Sequence, residues 1–201
     1  MLAAFALWTM LVRFADVRAI GPDGSRVGLA AVNGFVHRIT GVHMALYTAT
    51  DYLSLVPIGF VCGFACFGLR QWIMRRSLLK VDRSILVLGG FYVLVLAVYI
   101  LFEVCVVNYR PVLLDGVLEA SYPSSTTVLV LCVMATARMQ LGARIKHAVL
   151  RRCICFAITL FAALMIAGRI ASGVHWFSDI VGGMLLSAGL VLIYSAVSGQ
   201  K

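Results

Sequence analysis

A chain of 201 residues that is 62% hydrophobic and only 12% charged, with a mean hydropathy of +1.01, is built for lipid and not for water. Its apolar runs leave too little polar sequence for a separate soluble unit, so residues 1–201 read as a single membrane-embedded domain. The formal net charge of +9 follows from basic loops at one membrane face and from attraction to anionic lipids, which excludes a nucleic-acid partner as its explanation.

In chain order, the first apolar segment runs from Met1 to about Ile20, with its uncharged part ending at Arg13 and Asp16 and Arg18 following. A signal peptide is the competing reading. A helix is favoured, because no basic residue precedes the apolar part and no small-residue cleavage pattern follows it. The stretch "GPDGSRVGLAAVNGFVHRITGVHMALYTATD", Gly21 to Asp51, reads as a polar loop and then a helix entering the membrane. Uncharged runs then extend from Tyr52 to Leu69, Ile85 to Phe102, Ala120 to Ala137, Cys153 to Gly168 and Ile180 to Gln200, most of them near the length that crosses a hydrocarbon core as a helix. The expected fold is therefore all-α, a polytopic membrane protein built as a six-transmembrane-helix bundle. No internal repeat or low-complexity tract interrupts it.

Short cytoplasmic loops carry an excess of Lys and Arg. Arg70, Arg75, Arg76, Lys80 and Arg83 follow the second span, and Arg138, Arg144, Lys146, Arg151 and Arg152 follow the fourth. Both loops are expected in the cytoplasm, with both termini inside. The six cysteines, Cys62, Cys66, Cys105, Cys132, Cys153 and Cys155, lie in or beside apolar runs without Cys-x-x-Cys spacing, and read as buried free thiols. The four histidines are scattered, so no metal site and no cofactor is expected.

The polar residues outside the basic loops gather on the other face. Arg110 and Pro111 follow the third span, "YPSST" from Tyr122 to Thr126 opens the fourth, and Arg169, His175 and Asp179 bracket the turn between the fifth and sixth. Guanidiniums form natural forks for phosphate, and a helix N-terminus adds free N–H groups and a favourable dipole for the same anion. Each Arg taken alone reads as an interfacial anchor, and Ser124 alone as a helix cap. Four residues apart, His175 and Asp179 would share a helical face, where a carboxylate can hold one ring nitrogen and leave the other as nucleophile; a structural hydrogen bond is the other reading of such a pair.

These segments resemble the type 2 phosphatidic acid phosphatase superfamily, six-helix membrane enzymes with three motifs: Lys, six residues, Arg-Pro; then Pro-Ser-Gly-His; then Ser-Arg, five residues, His, three residues, Asp. Here the third motif reads "GRIASGVHWFSD", with Gly168 in place of Ser; the first reads "EVCVVNYRP", with Glu103 in place of Lys; the second reads "PSST", with Ser125 for Gly and Thr126 for His. The resemblance implies that His175 takes the phosphoryl group, that Asp179 tunes it, and that Arg110, Arg169 and Ser124 hold the phosphate with Ser125 and Thr126 beside them. It implies an enzyme acting on membrane lipid phosphates; with the basic loops inside, its site is expected on the extracytoplasmic side, in the plasma membrane.

Thr126 cannot inherit the acid role of the absent His, because a hydroxyl is too weak an acid near neutral pH. A diphosphate leaves as a phosphate and needs little protonation, so an isoprenoid diphosphate is the preferred substrate. Alternatively His43, with Tyr47 and Asp51 at helical spacing and His37 a further turn and a half back, supplies the proton. Glu103 is expected either to oppose phosphate binding by repulsion or to pair with Arg110, seven residues on, if the helix continues. The other function class is a catalytically weak relative that binds or moves phospholipid headgroups.

Overall fold

The computed structural model describes residues 1–200. It is an all-α membrane bundle with one small hairpin. Helix α1 (Leu2–Phe14) is followed by strands β1 (Arg18–Ala19) and β2 (Arg26–Val27), which pair antiparallel, and by helix α2 (Ala30–Thr40). Then come α3 (Met44–Leu53), α4 (Leu55–Arg75), α5 (Arg83–Val104), α6 (Ser125–Arg144), α7 (Ala148–Ser172) and α8 (Phe177–Ser198).

Five stretches are long and apolar enough to cross a membrane: Met44–Arg75, which joins α3 to α4, and the helices α5, α6, α7 and α8. The break between α3 and α4 falls at Ser54, three residues before Pro57, whose missing N–H and ring disrupt the turn that precedes it. All five begin or end outside the uncharged runs because hydropathy marks the hydrocarbon layer, whereas caps mark helix ends. Thus α6 starts at Ser125, with Ser124 accepting a hydrogen bond from the Thr127 N–H, and His147 caps α7 through a bond from the Leu150 N–H.

The first expected span is shorter than anticipated. α1 has 13 residues, about 20 Å at 1.5 Å per residue against a hydrocarbon core of about 30 Å. It begins beside Gly189, midway along α8, and ends at the same pole as the start of α8, where the Trp8 indole donates to the Ser178 carbonyl at 3.0 Å and Thr9 meets the Tyr122 hydroxyl at 2.7 Å. α1 is thus a built-in member of the bundle along one half of its height.

Helix α6 is the central one. Its face of Val128 and Cys132 packs with Ile85, Leu88 and Phe91 of α5 and with Leu186, Leu190 and Tyr194 of α8. Its opposite face, Val130, Met134 and Ala137, packs on Ile158, Ala162 and Met165 of α7. α4 and α5 leave Leu55, Ile73, Leu94 and Ile100 exposed, as expected of helices that face lipid.

The two poles differ. At one, the basic loops meet: Arg144 lies 4.0 Å from Asp82 and donates to Ser84 at 3.1 Å, and Arg75 pairs with Asp82 at 3.0 Å. At the other, Asn33 of α2 holds the start of α8. Its amide donates to the Gly28 carbonyl at 2.8 Å and to the Ser178 hydroxyl at 2.9 Å, and its carbonyl accepts from the Ser178 N–H at 3.0 Å.

Asn33→Ala leaves those buried partners unpaired at a cost of about 1–3 kcal/mol. We expect a thermal midpoint several degrees lower in detergent; an unchanged midpoint would show that α2 does not brace α8.

Candidate active site

Three structural devices bring the site together. The segment from Cys105 to Ser124 folds back on itself, with Tyr109 bridged to Ala120 and Leu114 to Val117, and carries Arg110 inward. The last turn of α7 carries Arg169. α7 then stops at Gly173, whose φ of +65° suits glycine and whose added Cβ would lie 1.7 Å from the Gly41 carbonyl oxygen. That turn delivers His175 just ahead of α8.

His175 is only 4% exposed and Arg169 1%. Arg110 Nη1 lies 3.0 Å from His175 Nε2, and Arg169 Nη2 lies 3.3 Å from the same nitrogen. A guanidinium has no acceptor to offer, so Nε2 must be the accepting, unprotonated nitrogen and the ring proton sits on Nδ1. Nδ1 lies near the Ser121 carbonyl, which favours the cation, yet the contact falls short of hydrogen-bond geometry and Nδ1 has no partner. Burial first, and then the two guanidiniums, hold the imidazole well below its ordinary pKa. Two unit charges about 4 Å apart at an effective dielectric near 20 repel by about 4 kcal/mol, which explains why a protonated ring between two arginines is disfavoured.

The anion-shaped character of the cluster shows in what is left unpaired. Of the five buried side-chain polar atoms without a hydrogen-bond partner among the described residues, three are Arg110 Nε, Arg169 Nε and His175 Nδ1. Glu119 Oε2 is 3.1 Å from Arg110 Nε, close enough for charge pairing but too bent for a hydrogen bond. The Tyr47 ring lies 4.8 Å from the Arg169 guanidinium and 5.9 Å from that of Arg110, a favourable face for both cations.

Asp179 differs from expectation. His175 stands before the helix and Asp179 inside its first turn, so the two do not share a helical face. The carboxylate, fully buried, accepts from the Ser121 hydroxyl, from Asn108 Nδ2 at 3.3 Å, from the Trp176 N–H at 3.1 Å and from the Ser178 hydroxyl at 3.3 Å. It anchors the turn that presents His175 and the loop that presents Arg110, without touching the ring.

Glu103 does not pair with Arg110. α5 ends at Val104, the helix does not continue, and Arg110 turns to Glu119 instead. Glu103 lines a cavity of about 550 Å³ between α4, α5 and α6 together with His175, Ser125 and Thr126. The rest of its lining is mainly apolar, including Ile58, Val93, Leu96 and Phe102. Ser124 is buried as the cap of α6, its hydroxyl accepting from Thr127 Oγ1 at 3.0 Å. His43 heads α3 with an exposed ring and only its backbone tied in, through a bond to the Ser172 carbonyl at 2.9 Å; α2 ends before it at Thr40, so His37 sits on a different helix.

Sequence reasoning did not single out Asn108, Ser121 and Thr50. The signal was present for the first two, polar residues two positions before Arg110 and one before "YPSST" in an apolar chain; for Thr50 there was none, since its importance comes from where α3 docks.

A buried imidazole flanked by two arginines in a helical membrane bundle is an arrangement suited to an anionic group. The family model of the PAP2 superfamily matches residues 58–201, and the chain belongs to that superfamily. The fold is similar to the crystal structure described as the first transmembrane PAP2 type phosphatidylglycerolphosphate phosphatase from Bacillus subtilis, with a TM-score of 0.59 and 16% identity over 97% of this chain and 92% of that one. No curated protein matches the chain significantly.

A lowered His pKa has a definite sign. Below about 6.5 the unfolded chain binds a proton that the folded site refuses, so acidification through this range costs stability. In ¹⁵N-histidine spectra at pH 6 we expect His175 to be neutral with Nε2 unprotonated; a ring titrating at or above its ordinary value would contradict the geometry.

Proposed function

We propose that the protein is a phosphatase or phosphotransferase that acts on lipid phosphates or diphosphates at the outer membrane face, through a phosphohistidine on His175. The observation that carries this reading is the convergence of Arg110 and Arg169 on His175 Nε2. The apolar cavity that reaches His175 suits a substrate with a lipid tail and a charged head.

In this reading a phosphoryl group draws both guanidiniums off the ring nitrogen and onto its oxygens, since an arginine–phosphate contact is stronger than one to a neutral imidazole. The Nε2 lone pair is thereby released for attack. The P–N bond forms as the bond from phosphorus to the leaving oxygen breaks, and water then cleaves the P–N bond to give inorganic phosphate. The arginines stabilise the charge on the transferring group throughout.

The leaving group sets the substrate. No imidazole stands at Thr126, and His43 points its ring outward, so a leaving alkoxide lacks an evident proton donor. A phosphate leaving group, with a second ionisation near about 6, departs without one. We therefore favour diphosphate lipids, an isoprenoid diphosphate among them.

Phosphate release from paired monophosphate and diphosphate lipids by the purified protein tests this directly. We expect faster release from the diphosphate, loss of all turnover in a folded His175→Ala variant, and a rise in monophosphate hydrolysis with Thr126→His, approaching about a hundred-fold if the new imidazole acts as general acid. Turnover by His175→Ala would refute the phosphohistidine. A monophosphate rate that falls selectively in His43→Ala would instead make His43 the donor.

The face is tested separately. Val117 is exposed in the loop that carries Arg110, so Val117→Cys in a background lacking the other cysteines should react with an impermeant maleimide in intact cells. Protection there would invert the proposed orientation.

A further inference from the structure

Arg110 has a carboxylate beside it in Glu119, whereas Arg169 has no acidic partner in any ion pair among the described residues. Its guanidinium is held from α3. Arg169 Nη1 lies 3.3 Å from Thr50 Oγ1 while Nη2 reaches His175. The Thr50 hydroxyl proton is committed to its own helix, to the carbonyls of Leu46 at 3.0 Å and Tyr47 at 2.8 Å, so an oxygen lone pair is what faces the arginine. One turn back, the Tyr47 ring covers the same guanidinium. Thr50 is 4% exposed, which removes water as a competing partner.

This contact needs α3 very close to α7, and Gly168 permits it. A Cβ at position 168 would lie 2.8 Å from Thr50 Cγ2 and 3.9 Å from Leu46 Cδ1. Gly168 is the point where the third motif departs from Ser, immediately before Arg169 in the chain.

We propose that Thr50 is a positioning residue for the anion site: it fixes one arm of the Arg169 fork so that the other points at His175 Nε2, and Gly168 is the residue that admits it. The proposal deepens the phosphatase reading and rests on it for its catalytic consequence, but its binding consequence stands apart. A guanidinium already ordered by Thr50 loses less side-chain freedom when it takes up a phosphate oxygen.

The test uses the full-length protein in detergent, with inorganic vanadate as the binding probe and phosphate release as the second readout. Thr50→Val keeps the shape and removes the acceptor; Thr50→Ser keeps the acceptor. We expect Thr50→Val to weaken vanadate at least about tenfold, the scale of one hydrogen bond to a charged group, with Thr50→Ser near wild type. Gly168→Ala should show a similar loss, and adding Thr50→Ser, which removes the methyl group that the new Cβ strikes, should restore binding. That rescue is a result helix packing at any other point would not produce, and it carries the test should Thr50→Val fail to fold. Folded Thr50→Val with wild-type vanadate affinity, or Gly168→Ala without loss, would overturn the clamp while an active wild type left the phosphatase reading intact. An inert wild type that still bound vanadate with this order of variants would sink the phosphatase reading and leave the clamp standing.

Discussion

Two guanidiniums converge on one buried imidazole nitrogen, and the arrangement is self-consistent only if the ring stays neutral. Cations this close repel in a low-dielectric setting, so the site needs opposing features: Glu119 beside Arg110, the Tyr47 ring over both arginines, and a ring proton confined to the nitrogen away from them. A phosphate would carry the charge that these groups offset only in part, and in the proposed reading the cluster is an anion receptor with His175 as the nucleophile at its centre. The fold serves that constraint by delivering the three groups from a loop, a helix end and a turn.

Asp179 is where those deliveries are tied together. Its oxygens collect donors from Asn108 and Ser121 of the loop bearing Arg110, and from Trp176 and Ser178 at the start of α8. Removing a fully hydrogen-bonded buried carboxylate leaves several donors unpaired at once, so its influence on His175 runs through the backbone that positions the ring. Trp176 adds a second tie, its indole donating to the Tyr109 carbonyl at 2.8 Å. Asn33 holds Ser178 from outside, so α2 reaches the site through this same network.

Much of this was legible in the sequence, for physical reasons. Five apolar runs marked five spanning helices because a hydrocarbon core tolerates little else, and Arg110, Arg169 and His175 stood out because charge at a membrane boundary is costly without a purpose. Spacing misled where a helix ended. Glu103 and Arg110 are seven apart, but α5 stops between them; His175 and Asp179 are four apart, but the helix begins after the first; His37 and His43 fall on separate helices across Gly41. Apolar length also ran past the end of α1, which stops at Phe14 where the hairpin begins. Thr50 was invisible because no local pattern reports how near α3 comes to α7.

The departures from the family motifs accordingly separate into two kinds. Gly168 is compensated in space: the side chain absent from α7 leaves room for a hydroxyl from α3 to reach the neighbouring arginine. Thr126 is different, because a hydroxyl near a cavity that already holds Ser125 and Glu103 replaces an ionisable ring with a group that cannot give up a proton near neutral pH. In the proposed reading, the first change preserves the electrostatics for holding a phosphoryl group, and the second bears on what happens to the group that leaves. Phosphate capture and nucleophilic attack would then depend on the cluster around His175, whereas leaving-group chemistry would depend on the polar residues that line the apolar cavity, so a chain could keep the former intact while the latter narrowed its range of substrates.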